Sequence, residues 1–334
     1  MRVPATSRKP AAHGSSDATQ HLFDRYVMVD WSAASSPRLG RDSIWIAERT
    51  PDSGATDPVN IPTRAAAMAA LTDLVTTTGD ERVLIGFDFT FGYPTGTADL
   101  IIGGEPGATW ADVWRWMAEH IADDENNRND RFNVAAQLNA DIENRTGIAP
   151  FWGYPGRERS DALSRTRPSI WSGEATATRV RATASGFAAH EYRIAEERVR
   201  ARGYRPFPAW QLAYPGSVGS QMMLGMHHLE RWRHDARLEN RVQVWPFDTG
   251  VGVASGAVDP GTVLVAEVWP SMFDVDRARH KVLDAAQVLT VVDLLAAADA
   301  NGILANWFAP GLTEQERTRV LTEEGWTLGV IEAV

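Results

Sequence analysis

The sequence of 334 residues contains no cysteine, and lysine occurs only at Lys9 and Lys281. The lack of cysteine excludes disulfides, thiolate zinc sites and cysteine nucleophiles. No apolar run approaches the roughly 18 residues of a membrane-spanning helix, so we expect no membrane partner. Residues 1–22 are mostly small and polar and lack the apolar core of a secretory signal. We therefore expect a disordered tail on a cytoplasmic protein.

Basic residues are in the minority, and the net charge of −10 argues against broad, non-specific binding of nucleic acid. The charge is unevenly distributed, however. Residues 126–205 contain fourteen arginines against nine acidic residues. Because the arginine fork suits phosphate and carboxylate, this stretch is either an anion-binding surface or an ordinary solvated one.

The pattern of apolar residues predicts an α/β core interrupted by a long insertion. Residues 23–94 and 211–334 contain buried strands and amphipathic helices, which are typical of an α/β core. Residues 95–210 are rich in arginine and aromatic side chains, and we interpret them as an inserted lid or cap.

Three local predictions can be checked directly. Thr63 is expected to cap a helix over residues 64–77. Residues 126–181 are expected to be irregular, and residues 188–202 to form a charged helix.

The aromatic side chains of the insertion alternate with arginines, a pattern that fits either base stacking or a small local core.

Acidic side chains stand at the ends of three apolar strands: Asp30, Asp88 and Glu267. Ligands usually bind at the carboxyl edge of an open α/β sheet, so a shared sheet would bring the three together. A fourth acid, Asp293, lies in an apolar helical run and must face something that compensates its charge. Hard cations such as Mg²⁺ prefer several carboxylate oxygens. Taken singly, a strand-end acid also fits a turn or cap, and Asp293 also fits a buried ion pair or an exposed position at a helix end.

The order of these acids resembles that of the ribonuclease H-like superfamily, and in particular a poorly characterised bacterial family predicted to be nuclease-like. The resemblance rests on Val29-Asp30-Trp31-Ser32, Gly86-Phe-Asp88-Phe-Thr90-Phe-Gly92, Ala266-Glu267-Val-Trp-Pro-Ser271 and Val291-Val-Asp293-Leu-Leu-Ala-Ala-Ala298. It implies a mixed five-stranded sheet flanked by helices. It also implies a bound Mg²⁺ or Mn²⁺ with Asp30, Asp88, Glu267 and Asp293 as catalytic ligands.

Several polar residues are candidates for substrate binding. Ser32 and Thr90 follow two of the acids directly, and Ser217 and Ser220 precede a helix whose free backbone N–H groups suit an anion. Close packing of that helix start against the sheet explains the same glycine-rich sequence. Lys281 precedes the last long helix, where it faces either phosphate or nothing.

We therefore expect a Mg²⁺- or Mn²⁺-dependent hydrolase of phosphodiester or phosphoanhydride bonds, with nucleic acid or a nucleotide as its partner. The alternative is a protein without catalytic activity that retains the fold and binds a nucleotide or a phosphorylated cofactor. The sequence does not determine the oligomeric state.

Overall fold

A mixed α/β sheet forms the centre of the molecule in a computed structural model that describes residues 21–331, apart from 105, 157–161, 172–179, 183–187, 215 and 254–257. Among the described residues, no helix is long and apolar enough to cross a membrane. Residues 1–20 of the predicted tail lie outside the described residues. Leu22, also assigned to that tail, is buried, and its backbone N–H donates to Asp299.

The strands are β1 (Arg25–Asp30), β2 (Ile44–Arg49), β3 (Val59–Ile61), β4 (Val83–Phe87), β5 (Val180–Ala182), β6 (Ala188–His190), β7 (Val242–Val244) and β8 (Val263–Glu267). Six of them form one sheet in the order β3-β2-β1-β4-β8-β7, and β5 pairs with β6 separately. Strands β1, β4, β8 and β7 run parallel, whereas β2 and β3 are antiparallel to their neighbours. The mixed sheet is confirmed, but the predicted five strands become six because β7 adds a parallel edge strand.

The helices are α1 (Arg64–Thr77), α2 (Thr97–Ile102), α3 (Trp110–His120), α4 (Arg131–Thr146), α5 (Ile194–Ala201), α6 (Gly219–Arg233), α7 (Leu283–Ala300), α8 (Leu304–Trp307) and α9 (Glu314–Arg319). The hydroxyl of Thr63 accepts a hydrogen bond from the backbone N–H of Ala66 at 3.2 Å, which confirms the predicted cap of α1. Helix α7 packs against β1 and β2.

Two predictions for the insertion are wrong. Residues 126–181 contain α4, a helix of sixteen residues whose buried side chains include Val134, Leu138 and Ile142 at helical spacing. Its several asparagines obscured that spacing in the sequence. The helix expected over residues 188–202 begins only at Ile194, because residues 188–190 pair with β5 as strand β6.

The insertion shares its hydrophobic core with the sheet. Phe151, Leu163 and Trp210 belong to the same buried cluster as Val29 of β1 and Val265 of β8. A buried ion pair joins Arg64 of α1 to Asp123 of the insertion, with N–O distances of 2.6 and 2.7 Å. The insertion therefore packs as part of one continuous structure with the sheet.

Candidate functional site

A cavity of about 930 Å³ opens at the carboxyl ends of the parallel strands. Its lining includes Asp30 at the end of β1, Asp88 just after β4 and Glu267 at the end of β8. Parallel strands end at the same edge of the sheet, so their terminal residues are brought together there. The three acids therefore lie at one edge of the sheet, as expected, and line one cavity.

Asp30 and Asp88 face each other closely enough for their carboxyl groups to share a hydrogen bond. Burial is the largest cause that raises the pKa of Asp30 well above its usual range, followed by the charge of Asp88. Burial also raises the pKa of Asp88 to about 7, against the opposing effect of the Trp31 backbone N–H, which donates to Asp88 at 2.6 Å. Within the described part of the chain, neither carboxylate forms an ion pair.

Two acids that the sequence did not single out lie near this pair. The charges of Asp284 and Asp42 contribute to the raised pKa of Asp30. Asp284 is in the first turn of α7, where burial raises its own pKa, and it accepts a hydrogen bond from the backbone N–H of Asp42 at 2.7 Å. An acid in a first helical turn is common because it complements the helix dipole, so the sequence carried no distinguishing signal.

Glu267 lies in the same cavity but is held in an ion pair. Arg193, from the insertion, approaches its two carboxylate oxygens at 2.8 and 2.6 Å. The backbone N–H of Phe91 and the hydroxyl of Thr327 also donate to it, at 2.9 and 2.5 Å. Burial lowers the pKa of Arg193. The charges of Glu196 and Glu267 outweigh this effect and raise the pKa above its usual range. Four donor atoms therefore already contact the carboxylate that was predicted to be a metal ligand.

Asp293 does not reach the site. It pairs with Arg49 and Arg279 at 2.5 and 2.6 Å and does not line the cavity. Arg49 is opposite Tyr26 at the start of β1, whereas Asp30 ends that strand. Asp293 also follows Asp284 by nine residues, which places it about 13 Å further along α7 and on the opposite face. Asp293 therefore lies in a partly exposed ion pair rather than a buried one, and the expected convergence of four acids is not observed.

The candidate substrate-binding residues are divided between the cavity and the surface. Ser32, Thr90, Ser217 and Ser220 line the cavity. The Ser32 hydroxyl donates to the backbone carbonyl of Asp42 at 3.0 Å. Lys281 is exposed and is not part of the lining.

The aromatic residues of the insertion also divide into two groups. Trp171 and Trp210 are buried and belong to the core, as one of the two interpretations predicted. Tyr204 and Phe207 are instead exposed by 39 and 42% and line the cavity, as does Tyr214, which follows the insertion and is 46% exposed. The exposed group places flat apolar faces in a cavity that also contains carboxylates.

The residues present fit a divalent cation only in part. In the described ranges, no group of three or more histidine, aspartate or glutamate side chains is arranged to hold a metal ion. The Asp30–Asp88 pair nevertheless offers one buried and one partly buried acid, and neither has a basic partner among the described residues. Mg²⁺ is often bound by one or two carboxylates together with substrate phosphates and water. The pair therefore fits one ion shared with a substrate better than a closed site made by the protein alone.

No protein-family model matches the chain, and comparisons with curated proteins and with solved structures likewise give no match.

Proposed function

We propose that this protein is a Mg²⁺- or Mn²⁺-dependent hydrolase of phosphodiester or phosphoanhydride bonds, built on a ribonuclease H-like core. The observation that carries the proposal is the Asp30–Asp88 pair at the end of adjacent parallel strands, in a cavity of about 930 Å³. Adjacent acids without a basic partner, one buried and one partly buried, cost free energy unless they serve a ligand. The mixed sheet flanked by helices is compatible with the α/β core that the proposal requires.

In this proposal, Asp30 and Asp88 hold the cation, and Asp284 adds negative charge beside them. When bound, a divalent cation stabilises charge on a phosphoryl oxygen and makes water more acidic. Asp88 is held in place by the backbone N–H of Trp31, so its carboxylate keeps one orientation.

Nucleotides or single-stranded nucleic acid are the proposed substrates. The exposed faces of Tyr204 and Phe207 support this choice, because aromatic side chains stack on bases regardless of sequence. The net charge of −10 weighs against long duplexes, which require a broad basic surface.

Cleavage of a single-stranded oligonucleotide and of nucleoside di- and triphosphates, each with Mg²⁺ or Mn²⁺, tests the proposal. Asp30→Asn and Asp88→Asn should each lower kcat/KM by at least about 100-fold, because each removes a cation ligand. Asp293→Asn is the matched control and should retain activity within about threefold. Both active-site variants should unfold at or above the wild-type temperature, since asparagine removes the repulsion between like charges. Activity that is absent with both metals, or equal in all variants, would refute the proposal.

A non-catalytic binding protein is the second candidate, and the lack of a three-residue metal group in the described ranges favours it. Calorimetric titration with the same nucleotides separates the two functions. Tight binding without product formation would support the second candidate over the first.

A further inference from the structure

A cationic side chain without a carboxylate partner lines the same cavity. Arg131 is the first residue of α4 and is only 7% exposed. Within the described ranges, no acid lies within salt-bridge distance of its guanidinium. Most buried charges are paired, because an unpaired one loses its hydration without compensation. Burial and the charge of Arg64 lower the pKa of Arg131 to about 10.

Neutral oxygen atoms orient this guanidinium. Nε donates to Ser220 Oγ at 2.8 Å, while Nη1 donates to Ser35 Oγ at 3.0 Å and to Asn129 Oδ1 at 2.5 Å. Ser220 Oγ in turn donates to the backbone carbonyl of Leu212 at 2.5 Å. For Nη2, no hydrogen-bond partner is found among the described residues, and this atom is not sealed in the interior. Its two N–H groups are therefore available to a molecule in the cavity.

Helix α6 begins at the same point of the cavity wall. Its preceding residue, Val218, supplies no side-chain cap, and the described residues provide no acceptor for the backbone N–H groups of Ser220 and Gln221. Such free N–H groups, together with the helix dipole, favour an anion. Arg131 reaches this helix start directly through Ser220 Oγ, so both features serve one position.

We propose that Arg131 and the first turn of α6 form an anion subsite that binds a phosphate group. The planar guanidinium suits phosphate oxygens, and the free N–H groups of Ser220 and Gln221 complete the set of donors. Ser217 lines the cavity beside them.

The subsite lies next to the acid pair and is separate from it. Gln221 Nε2 donates to the backbone carbonyl of Trp31 at 2.6 Å, and the backbone N–H of Trp31 donates to Asp88 at 2.6 Å. This short path places the subsite beside the proposed reacting position. The subsite itself stands independently, but its assignment to a substrate phosphate rests on the proposed function. It restricts the substrate class to molecules with a second phosphate next to the bond that is cleaved.

Binding of inorganic pyrophosphate in the presence of EDTA, measured by titration calorimetry, tests the subsite without any metal. The wild-type protein should bind pyrophosphate. Arg131→Gln should weaken binding by at least tenfold, because a charge-assisted donor pair is lost. Arg38→Gln is the matched control, since Arg38 lines the same cavity but is exposed and pairs with Asp42. It should change the affinity less than about threefold.

Asp30→Asn keeps the proposed donors and removes a nearby negative charge, so its affinity for pyrophosphate should equal or exceed that of the wild type. This variant and the wild-type measurement keep the test decisive if Arg131→Gln folds poorly. The subsite is refuted if the wild type binds no pyrophosphate in EDTA, if the Asp30 variant loses binding, or if both arginine variants weaken it equally.

A kinetic arm tests the substrate assignment separately. A dinucleotide carrying an additional 5′-phosphate should have a KM at least tenfold lower than the same dinucleotide without it, and Arg131→Gln should abolish that difference. Pyrophosphate binding without any hydrolysis would refute the proposed function and leave the subsite intact. Hydrolysis without pyrophosphate binding would refute the subsite and leave the proposed function intact.

Discussion

The carboxyl groups of Asp30 and Asp88 determine how the cavity responds to pH. Burial raises both pKa values, and that of Asp88 reaches about 7. In the unfolded chain an aspartate has a pKa of about 3.9, so between these values the folded protein binds more protons than the unfolded one. The free energy of unfolding must therefore fall as the pH rises through this window.

We expect the metal-free protein to lose about 1–3 kcal/mol of stability between pH 5 and pH 8 through this pair. Asp88→Asn should make this part of the profile less steep, because asparagine does not titrate and only the contribution of Asp30 remains. Urea unfolding at several pH values in EDTA measures the effect. A wild-type profile that rises over this interval and is unchanged in the variant would contradict the assigned pKa shift.

The raised pKa values also make cation binding depend on pH. A cation displaces the shared proton, so Mg²⁺ or Mn²⁺ should raise the unfolding temperature more at pH 8 than at pH 6. This comparison tests the cation-binding role of the pair separately from any catalysis.

Among the elements, α5 depends on a buried ion network for its position. Arg193 precedes this helix and contacts Glu267 at the end of β8, while the backbone N–H of Ile194 donates to Glu324 at 2.8 Å. The network connects the insertion, the sheet and the C-terminal region. Glu267 therefore stabilises the arrangement of these elements around the cavity.

Glu267→Ala should destabilise the protein by about 3 kcal/mol, because Arg193 stays buried with only part of its compensating charge. Asp293→Ala removes a carboxylate that is 29% exposed, so its effect should stay below about 1 kcal/mol. Urea unfolding of the two variants at one pH provides the comparison. Equal losses of stability would argue against the structural role assigned to Glu267.

For the whole molecule, the shared core predicts that the insertion and the sheet unfold together. Buried insertion residues such as Phe151 and Trp210 lie in the same cluster as strand residues, and Arg64–Asp123 links the two parts. Breaking either part would expose apolar surface of the other.

Thermal unfolding should accordingly show one transition that coincides by tryptophan fluorescence, circular dichroism and calorimetry. A variant with residues 95–210 replaced by a short linker should fail to fold, because the strand residues would lose their packing partners. Two resolved transitions in the full chain, or a stably folded deletion variant, would show that the insertion is an independent unit.

The local order of the chain was accessible from the sequence. Apolar runs located β1, β4 and β8, and Thr63 marked the start of α1, because strand burial and helix capping depend on neighbouring residues. The strand-end positions of Asp30 and Asp88 followed from the same pattern. Helix α4 was not predicted, because its polar residues obscured the spacing of its apolar face.

Only the tertiary structure decided which acids remain free. Glu267 is neutralised by Arg193, 74 residues away, and Asp293 by Arg49 and by Arg279 on the loop before α7, so neither pairing was evident from helical or strand spacing. Asp284 and Arg131 line the cavity because of how their helices pack, and no local sequence pattern indicates that packing. The sequence by itself determined the strands and where they end, since those depend on short-range burial and propensity. Charge compensation is a long-range property, and it became visible only when distant segments were brought into contact.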